Sequence, residues 1–322
     1  MDARTVPVLR ERVTITITVR EWKRMGNNGA GGEGRARLSR RNMLAAGAAG
    51  VGATMLAAPA AAAEGQPQRV SWFADKVVLI TGATSGIGEA TARAMAREGA
   101  SVFFCGRRKT LGRRVQDSIR AAGGAATYHY ADVRDEGDVR RFVEACVARH
   151  GRLDIAVNNA GVESPRAVRL HEQTMADLED VWRTNAGGVF LAMKYELPHL
   201  LAQGGGAIVN TASISAEVGF ATIAPYNASK HAVASLTKVA ALEYAADGIR
   251  INALAPGAVD TPMLRRAAEA FGMTYEQIAQ DYPIRRIVHA DEIARVIMWL
   301  STPDAAAVVG TDVDASGGYL TG

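Results

Sequence analysis

Short apolar runs alternate with amphipathic segments along most of this 322-residue chain. Four runs have the length of buried strands, at residues 77–80, 101–104, 154–157 and 207–209. Runs that are apolar at nearly every position are typical of strands covered on both faces, and strands separated by helices pair in parallel through right-handed crossovers. The pattern predicts an α/β fold with a doubly wound, Rossmann-type parallel sheet in a single domain over residues 70–322.

The first 63 residues differ in character from the rest. Arg40 and Arg41 open the segment 39–63, which continues through a charge-free stretch rich in Ala and Gly and ends in small residues. This order resembles a twin-arginine signal peptide, and large apolar side chains are too few for a stable membrane span. We expect export to the periplasm or another extracytoplasmic location, with cytoplasmic retention as the alternative. Residues 1–38 are expected to be a disordered extension or a wrongly assigned start.

Charge and cysteine usage exclude several classes of protein. The net charge is +4, but residues 1–63 hold ten Lys and Arg against four Asp and Glu, which leaves 27 basic and 29 acidic residues in the remainder. A domain near neutrality lacks the basic face that nucleic acid requires, so we expect no nucleic-acid partner. Cys105 and Cys146 are the two cysteines, and the histidines show no paired ligand spacing, so neither a disulfide framework nor a metal site is expected.

A glycine-rich turn follows the first predicted strand and opens a helical segment. Glycines at such a turn allow the backbone to approach a pyrophosphate, and the helix amino terminus supplies N–H donors and partial positive charge. A strand before the turn and a helix after it make this a specific signal for a dinucleotide. The residues predicted to contact the nucleotide are Thr81, Gly82, Ser85, Gly86, Ile87 and Gly88.

The end of the second predicted strand indicates which dinucleotide binds. Dinucleotide-binding folds place an acidic residue there for the ribose 2′-hydroxyl, or a basic residue for a 2′-phosphate. This chain has Arg107 and Arg108 and no acid at that position. Guanidinium groups suit bidentate contact with phosphate, so we expect NADP, with NAD as the less favoured cofactor. The alternative is that both arginines simply begin a solvated helix.

Tyr226 and Lys230 stand four residues apart, one turn along the same helix face. A phenol with an ordinary pKa near ~10 is a poor base at neutral pH, and a neighbouring cation favours its phenolate. The spacing therefore predicts a general acid/base whose pKa Lys230 lowers. Taken alone, the same spacing is often a packed aromatic ring beside a solvated lysine.

In the order and spacing of its motifs, the chain resembles the short-chain dehydrogenase/reductase family from about residue 75 to 319. The glycine spacing, Tyr226 and Lys230 begin the resemblance. It implies that Ser213, thirteen residues before Tyr226, binds the substrate oxygen, with Ser215 as a nearby competitor, and that Asn185 holds a proton-relaying water. It further implies cofactor contacts by Asp132, Val133, Asn159, Ala160, Gly161, Tyr226, Lys230, Pro256, Gly257, Val259 and Thr261, the last reaching the nicotinamide carboxamide.

The resemblance implies an NADP(H)-dependent enzyme that interconverts a secondary alcohol and a ketone. A non-catalytic NADP-binding sensor and redox-neutral chemistry on the same fold are the alternatives. The substrate is expected to be small and hydrophobic or cyclic, in a pocket lined by the segment after Ser213, around residues 218–221, and by a local elaboration at residues 261–282. The apolar residues that suggest this are Val218, Phe220, Met263, Leu264, Phe271 and Met273, and the alternative is that they pack on each other. The family also implies a homotetramer or homodimer built on two long helices, at about 176–201 and 223–245.

Overall fold

The computed structural model describes residues 71–321. The predicted extension at 1–38 and the predicted signal at 39–63 lie outside these residues. Residues 67–322 form one compact unit. Within the described part of the chain, no helix combines the length and the hydropathy needed to cross a membrane.

Seven parallel strands form one sheet in the order β3-β2-β1-β4-β5-β6-β9. Their bounds are β1 Val77–Thr81, β2 Ser101–Gly106, β3 Ala125–Tyr130, β4 Ile155–Asn158, β5 Gly206–Thr211, β6 Ile249–Pro256 and β9 Asp312–Ala315. Two short strands, β7 Val259–Asp260 and β8 Val288–His289, form a separate parallel pair. The doubly wound parallel sheet expected from the alternating pattern is confirmed.

Helices cover both faces of the sheet. Their bounds are α1 Gly86–Arg97, α2 Lys109–Ala121, α3 Glu136–His150, α4 Met175–Trp182, α5 Gly188–Ala202, α6 Ala224–Tyr244, α7 Pro262–Phe271, α8 Tyr275–Gln280 and α9 Ala290–Ser301. A π-helical turn, Arg183–Gly187, joins α4 to α5, so the long helix expected at 176–201 is interrupted. A π-helical turn adds one residue to a turn of helix, and the periodicity of apolar residues in the sequence did not reveal it. Such turns are often found at functional sites.

The core lies in two layers, one on each face of the sheet. Val77 and Leu79 pack into the layer beneath α3, α5 and α6, whereas Val78 and Ile80 pack into the layer beneath α1, α2 and α9. Successive side chains of a strand point to opposite faces, so a run that is apolar at every position is stable only when both faces are covered. This accounts for the uninterrupted apolar sequence of β1.

The order of the strands fixes where a ligand can bind. The chain leaves β1 toward β2 and β3 on one side and returns through β4, β5 and β6 on the other. Loops that follow β1 and β4 therefore diverge and leave a crevice at the carboxyl ends of these strands. The glycine-rich turn follows β1, and the turn containing Asn159 follows β4.

Candidate active site

A cavity of about 780 Å³ opens at the carboxyl ends of the strands. The wall of the cavity draws on the loops after β1, β2, β3, β4, β5 and β6, on the first turns of α6, and on α7. The predicted site residues that line it are Gly82, Ser85, Gly86, Ile87, Arg107, Arg108, Asp132, Val133, Asn159, Ala160, Gly161, Ser213, Tyr226, Lys230, Pro256, Gly257, Val259 and Thr261. Residues from these eight parts of the chain thus meet at one site.

Glycines bring three of these segments into close contact. A side chain on Gly82, which has φ of 71°, would place its Cβ 2.6 Å from the Cα of Ala160. A Cβ on Gly88 would lie 2.5 Å from Nδ2 of Asn159, and one on Gly86 would lie 3.2 Å from Cγ2 of Thr261. The backbone of the turn is therefore bare on the side where a phosphate group would lie, and the cradle fits a dinucleotide.

Thr81, Gly88 and Asn185 are predicted site residues that stand behind the cavity wall. The Thr81 hydroxyl accepts hydrogen bonds from the backbone N–H groups of Asn159 (3.0 Å) and Ala160 (3.1 Å), which ties the end of β1 to the turn after β4. Gly88 provides the space for Asn159 described above. Thr81 and Gly88 therefore shape the cradle from behind, because their contacts are with protein atoms.

Asn185 lies in the π-helical turn and is fully buried. Its Oδ1 accepts from the Val162 N–H (2.8 Å), and its Nδ2 donates to the Val162 carbonyl (3.0 Å) and to the Ser229 hydroxyl (3.0 Å). The side chain is thus engaged with the loop after β4 and with α6. Its backbone remains the part of the residue that could hold the predicted water.

At the end of β2, the guanidinium of Arg108 makes hydrogen bonds that the sequence did not predict. Its guanidinium donates to the Thr84 hydroxyl at 2.6 and 3.1 Å and to the Ser85 hydroxyl at 2.7 Å. Arg107 instead lies 3.8 Å from a carboxylate oxygen of Asp132. Burial and the neighbouring Arg266 and Arg107 lower the pKa of Arg108. The hydrogen bonds of Arg108 go to hydroxyl groups, and a cation that is crowded by other cations in this way would be stabilised by an added phosphate.

Ser213, Tyr226 and Lys230 converge on the floor of the cavity. Ser213 follows β5 and is buried, and its hydroxyl accepts from the Ser215 N–H at 3.1 Å, which leaves its proton available to donate. Ser215, the competitor considered from sequence, does not line the cavity. The Lys230 ammonium donates to the Thr211 carbonyl at 2.8 Å and lies 5.6 Å from the centre of the Tyr226 ring.

The predicted direction of the Tyr226 pKa is wrong for the protein alone. Burial raises this pKa above its ordinary value, the hydroxyl of Ser213 opposes that shift, and the charge of Glu163 adds to it. Lys230 does not offset the effect because its ammonium lies over the ring and is held by Thr211, and burial lowers its own pKa to about 8. Desolvation of the phenolate outweighs the neighbouring cation, and Tyr226 is a neutral phenol at pH 7.

The apolar residues expected to line the substrate pocket divide into two groups. Met263, Leu264 and Phe271 lie on the cavity wall, all from α7. Val218, Phe220 and Met273 do not line it, and the Phe220 ring packs against that of Tyr319 in a tilted arrangement with ring centres 5.7 Å apart. The prediction is therefore wrong for these three. Apolar character does not distinguish packing from lining, and the contact with Tyr319 spans 99 residues.

Thr261 has a structural role beside its predicted one. Its hydroxyl accepts from the Leu264 N–H at 3.3 Å and so caps α7.

Sequence reasoning missed Glu163 and Arg266, which line the cavity and pair with each other across 103 residues of sequence. Neither belongs to a local motif, so no sequence signal could have found them. Among the described residues, no cluster of three or more His, Cys, Asp or Glu could hold a metal ion.

Comparison with known proteins gives a consistent result. The model of a family described as enoyl-(acyl carrier protein) reductase matches residues 82–320. Cyclohexanol dehydrogenase of Acinetobacter sp. (strain SE19) is 40% identical over 249 residues, which cover 77% of this chain and 96% of that protein. cis-4-Hydroxycyclohexanecarboxylate dehydrogenase of Sinomonas cyclohexanicum is 41% identical over 247 residues, with 77% and 97% covered.

A solved structure aligns with the same part of the chain. A variant of actinorhodin polyketide ketoreductase with NADPH has a TM-score of 0.73 and 38% sequence identity, and the alignment covers 76% of this chain and 97% of that one. The similarity thus extends over nearly the whole of each of these three proteins.

Proposed function

The chain belongs to the short-chain dehydrogenase/reductase family and is an oxidoreductase of alcohol or ketone substrates, and from this premise we propose that it interconverts an uncharged ring alcohol and its ketone with NADP(H). The observation that carries the proposal is the convergence of Ser213, Tyr226 and Lys230 on the cavity floor, beside the glycine cradle. A bound nicotinamide would supply the hydride donor or acceptor.

The glycine-rich turn and the turn after β4 would hold the dinucleotide, with Arg108 at its 2′-phosphate and Thr261 at its carboxamide. Arg108 supports NADP because its guanidinium lies at the end of β2 on the hydroxyls of Thr84 and Ser85. The ketoreductase with NADPH adds support from a relative. The proposed contacts of Asp132, Val133, Pro256, Gly257 and Val259 rest on their places in the cavity wall.

The chemistry of the chain's own residues follows from their states. Tyr226 is neutral at pH 7, which is the state that donates a proton when a carbonyl is reduced. Ser213 would donate its hydroxyl hydrogen to the substrate oxygen and stabilise the charge that develops there. Lys230 would favour the phenolate during the reverse reaction, because an ammonium beside the ring opposes the cost of its negative charge. Asn185 would support Lys230 through a water.

The apolar wall supports a hydrophobic ring as substrate. Residues Pro165, Ile223, Met263, Ala267 and Phe271 line the cavity together with Tyr226. Two relatives are named for alcohols on a cyclohexane ring. Cyclohexanol presents no polar group beyond its oxygen, and that oxygen is the group which Ser213 and Tyr226 can bind; the ring named for the second relative also carries a carboxylate.

Replacing Tyr226 by Phe tests the proposal. The change removes the proton donor and keeps the ring, so turnover of cyclohexanol and cyclohexanone with NADP(H) should fall by ~10² or more. NADPH binding, measured by fluorescence titration, and the thermal midpoint should stay close to the wild type. Tyr244→Phe is the matched control, since Tyr244 lies in the same helix and outside the cavity.

Near-normal turnover by the Tyr226→Phe protein would contradict the mechanism. A wild-type protein that binds NADPH and turns over no alcohol or ketone in a broad panel would instead favour the non-catalytic sensor.

A further inference from the structure

Glu163 and Arg266 join two walls of the cavity by an ion pair. Arg266 lies in α7, and Glu163 lies in the loop after β4. The Arg266 Nε lies 2.5 Å from Oε1 of Glu163, and its Nη2 lies 3.1 Å from Oε2. Two parallel N–H···O bonds use the geometry in which guanidinium and carboxylate bind each other best. The Nε–Nη2 edge of Arg266 and both carboxylate oxygens of Glu163 are thus engaged with each other.

The pair is partly exposed to solvent and shares the cavity wall with apolar side chains. Its neighbours on the wall include Pro165, Ala267 and Phe271. The other charged residues of the wall are accounted for elsewhere: Arg107, Arg108 and Asp132 at the ends of β2 and β3, and Lys230 on the Thr211 carbonyl. The charge that a substrate meets beside its ring is thus that of Glu163 and Arg266, which sum to zero.

Glu163 is close enough to the reacting group to matter. Ser164, the residue after Glu163, accepts a hydrogen bond from the Tyr226 backbone N–H at 3.3 Å, which places Glu163 beside the turn that carries Tyr226. The charge of Glu163 also contributes to the raised pKa of Tyr226. Arg266 also lines the cavity, and its charge contributes to the lowered pKa of Arg108. The pair thus lies between the region proposed for the substrate and the region proposed for the cofactor phosphates.

We infer that the Glu163–Arg266 pair selects uncharged ring substrates over carboxylated ones. The inference deepens the proposed function and rests on it. A substrate carboxylate meets repulsion from Glu163, and the guanidinium that would attract it already donates from its Nε–Nη2 edge to Glu163. Removing the Glu163 charge alone frees Arg266, which then holds a carboxylate by the same bidentate contact.

Equilibrium binding separates this inference from turnover. Calorimetry on the full chain with NADP⁺ measures the affinity of cyclohexanecarboxylate and of the neutral cyclohexanecarboxamide, which have nearly the same shape. We expect the wild type to bind the amide about tenfold or more tightly than the carboxylate. In Glu163→Gln the carboxylate should gain about tenfold or more, as a charge-assisted bidentate contact implies, while the amide changes by less than about threefold.

Two further variants identify the group responsible. The gain should disappear in the Glu163→Gln, Arg266→Gln double variant, because the freed guanidinium is its cause. Arg266→Gln alone leaves Glu163 unpaired and should weaken carboxylate binding further without affecting the amide. Glu269→Gln removes an exposed carboxylate from α7 outside the cavity and should match the wild type. Circular dichroism establishes that each variant is folded.

Several outcomes would overturn the inference: equal binding of the two probes by the wild type, a gain that persists in the double variant, or a Glu163→Gln protein that binds NADP⁺ more tightly with unchanged selectivity between the probes. The last result would assign Arg266 to the cofactor phosphates. If Glu163→Gln fails to fold, the Arg266→Gln protein tests the inference instead: weaker binding of the carboxylate than in the wild type supports it, and unchanged binding contradicts it. If the binding results agree with these expectations but the protein oxidises no ring alcohol, the proposed function is contradicted and the inference about the ion pair is not.

Discussion

Lys230 and Tyr226 show at the scale of single residues how burial alters what a spacing implies. One helical turn brings the two side chains together, as the sequence predicted. The pKa of Tyr226 is nevertheless raised and that of Lys230 is lowered to about 8, because both charged forms lose water. In the protein alone, Tyr226 is a neutral phenol, and the neighbouring Lys230 is an ammonium with a lowered pKa. The neutral state of the phenol favours proton donation by Tyr226.

Arg108 gives the sharpest prediction on the cofactor. Replacing it by Asp removes a cation at the end of β2 and adds repulsion to a 2′-phosphate, so NADP(H) should lose roughly 1–3 kcal/mol of binding free energy relative to NAD(H). Arg107→Asp should lose less, since Arg107 already faces Asp132 at 3.8 Å. Titration of both nucleotides against each variant measures the ratio.

Arg113→Asp is the control for this comparison, because Arg113 is exposed on α2 and lies outside the cavity. A wild-type protein that binds NAD(H) more tightly than NADP(H) would show that the arginines begin a solvated helix and do no more.

At the scale of elements, the π-helical turn and α5 determine how β4 is held. The turn positions Asn185 against the loop after β4. One helical turn beyond Ala192, α5 places Glu196 in the core, where its Oε2 accepts from Nδ2 of Asn158 at 3.0 Å. The same Asn158 Nδ2 donates to Asn210 at the end of β5, and Asn210 donates to Thr237 on α6. A buried polar network therefore links β4 and β5 to the helix that carries Tyr226.

Glu196 makes the stability of this network depend on pH. Burial raises its pKa from 4.5 to about 7, and its Oε1 has no hydrogen-bond partner. Between these values the folded protein retains a proton that the unfolded chain releases, so stability falls as pH rises through the window and the penalty is complete above about pH 7. Glu196→Gln should be more stable than the wild type at pH 8 by roughly 1–3 kcal/mol.

The difference should shrink as the pH falls and reach zero below 4.5, where Glu196 is protonated in both the folded and the unfolded state. Urea unfolding at pH 5 and pH 8 measures it, with Glu243→Gln on the exposed side of α6 as control. A Glu196→Gln protein with the same pH dependence as the wild type would show that the pKa of Glu196 is the same in the folded and unfolded states.

On the scale of the whole molecule, the unit at residues 67–322 contains the sheet, both core layers and the cavity. We propose that residues 1–63 serve export and contribute nothing to catalysis. A chain beginning at Glu64 should then keep its thermal midpoint and its turnover within about twofold, because every site residue proposed above lies beyond it. Assembly as a homotetramer or homodimer stays a prediction, which light scattering on this chain would test.

Export itself is tested in the native host. Changing Arg40 and Arg41 together to Lys should retain the full-length protein in the cytoplasm, since the paired arginines are the feature that resembles a twin-arginine signal. Fractionation and immunoblotting report the location. Full-length protein in the cytoplasm of the unaltered host, unchanged by the substitution, would contradict the proposal.

Local features of the sequence were sufficient to predict the fold of this protein and most of its candidate site residues. The alternation of apolar runs and amphipathic segments determined the parallel sheet, since both signals repeat over a few residues and survive any tertiary context that buries them. The glycine turn after β1 and the spacing of Tyr226 and Lys230 are equally local, and most residues predicted from these motifs line one cavity.

Tertiary structure alone decided the features that depend on distance in space and on loss of water. Glu163 meets Arg266 across 103 residues, and Phe220 turns away from the cavity to pack against Tyr319. Thr81, Gly88 and Asn185 shape the site from behind its wall. The sign of the Tyr226 pKa was decided by burial, because the free energy of charging a side chain depends on the solvent and dipoles that surround it, and these come from segments that the sequence does not place side by side.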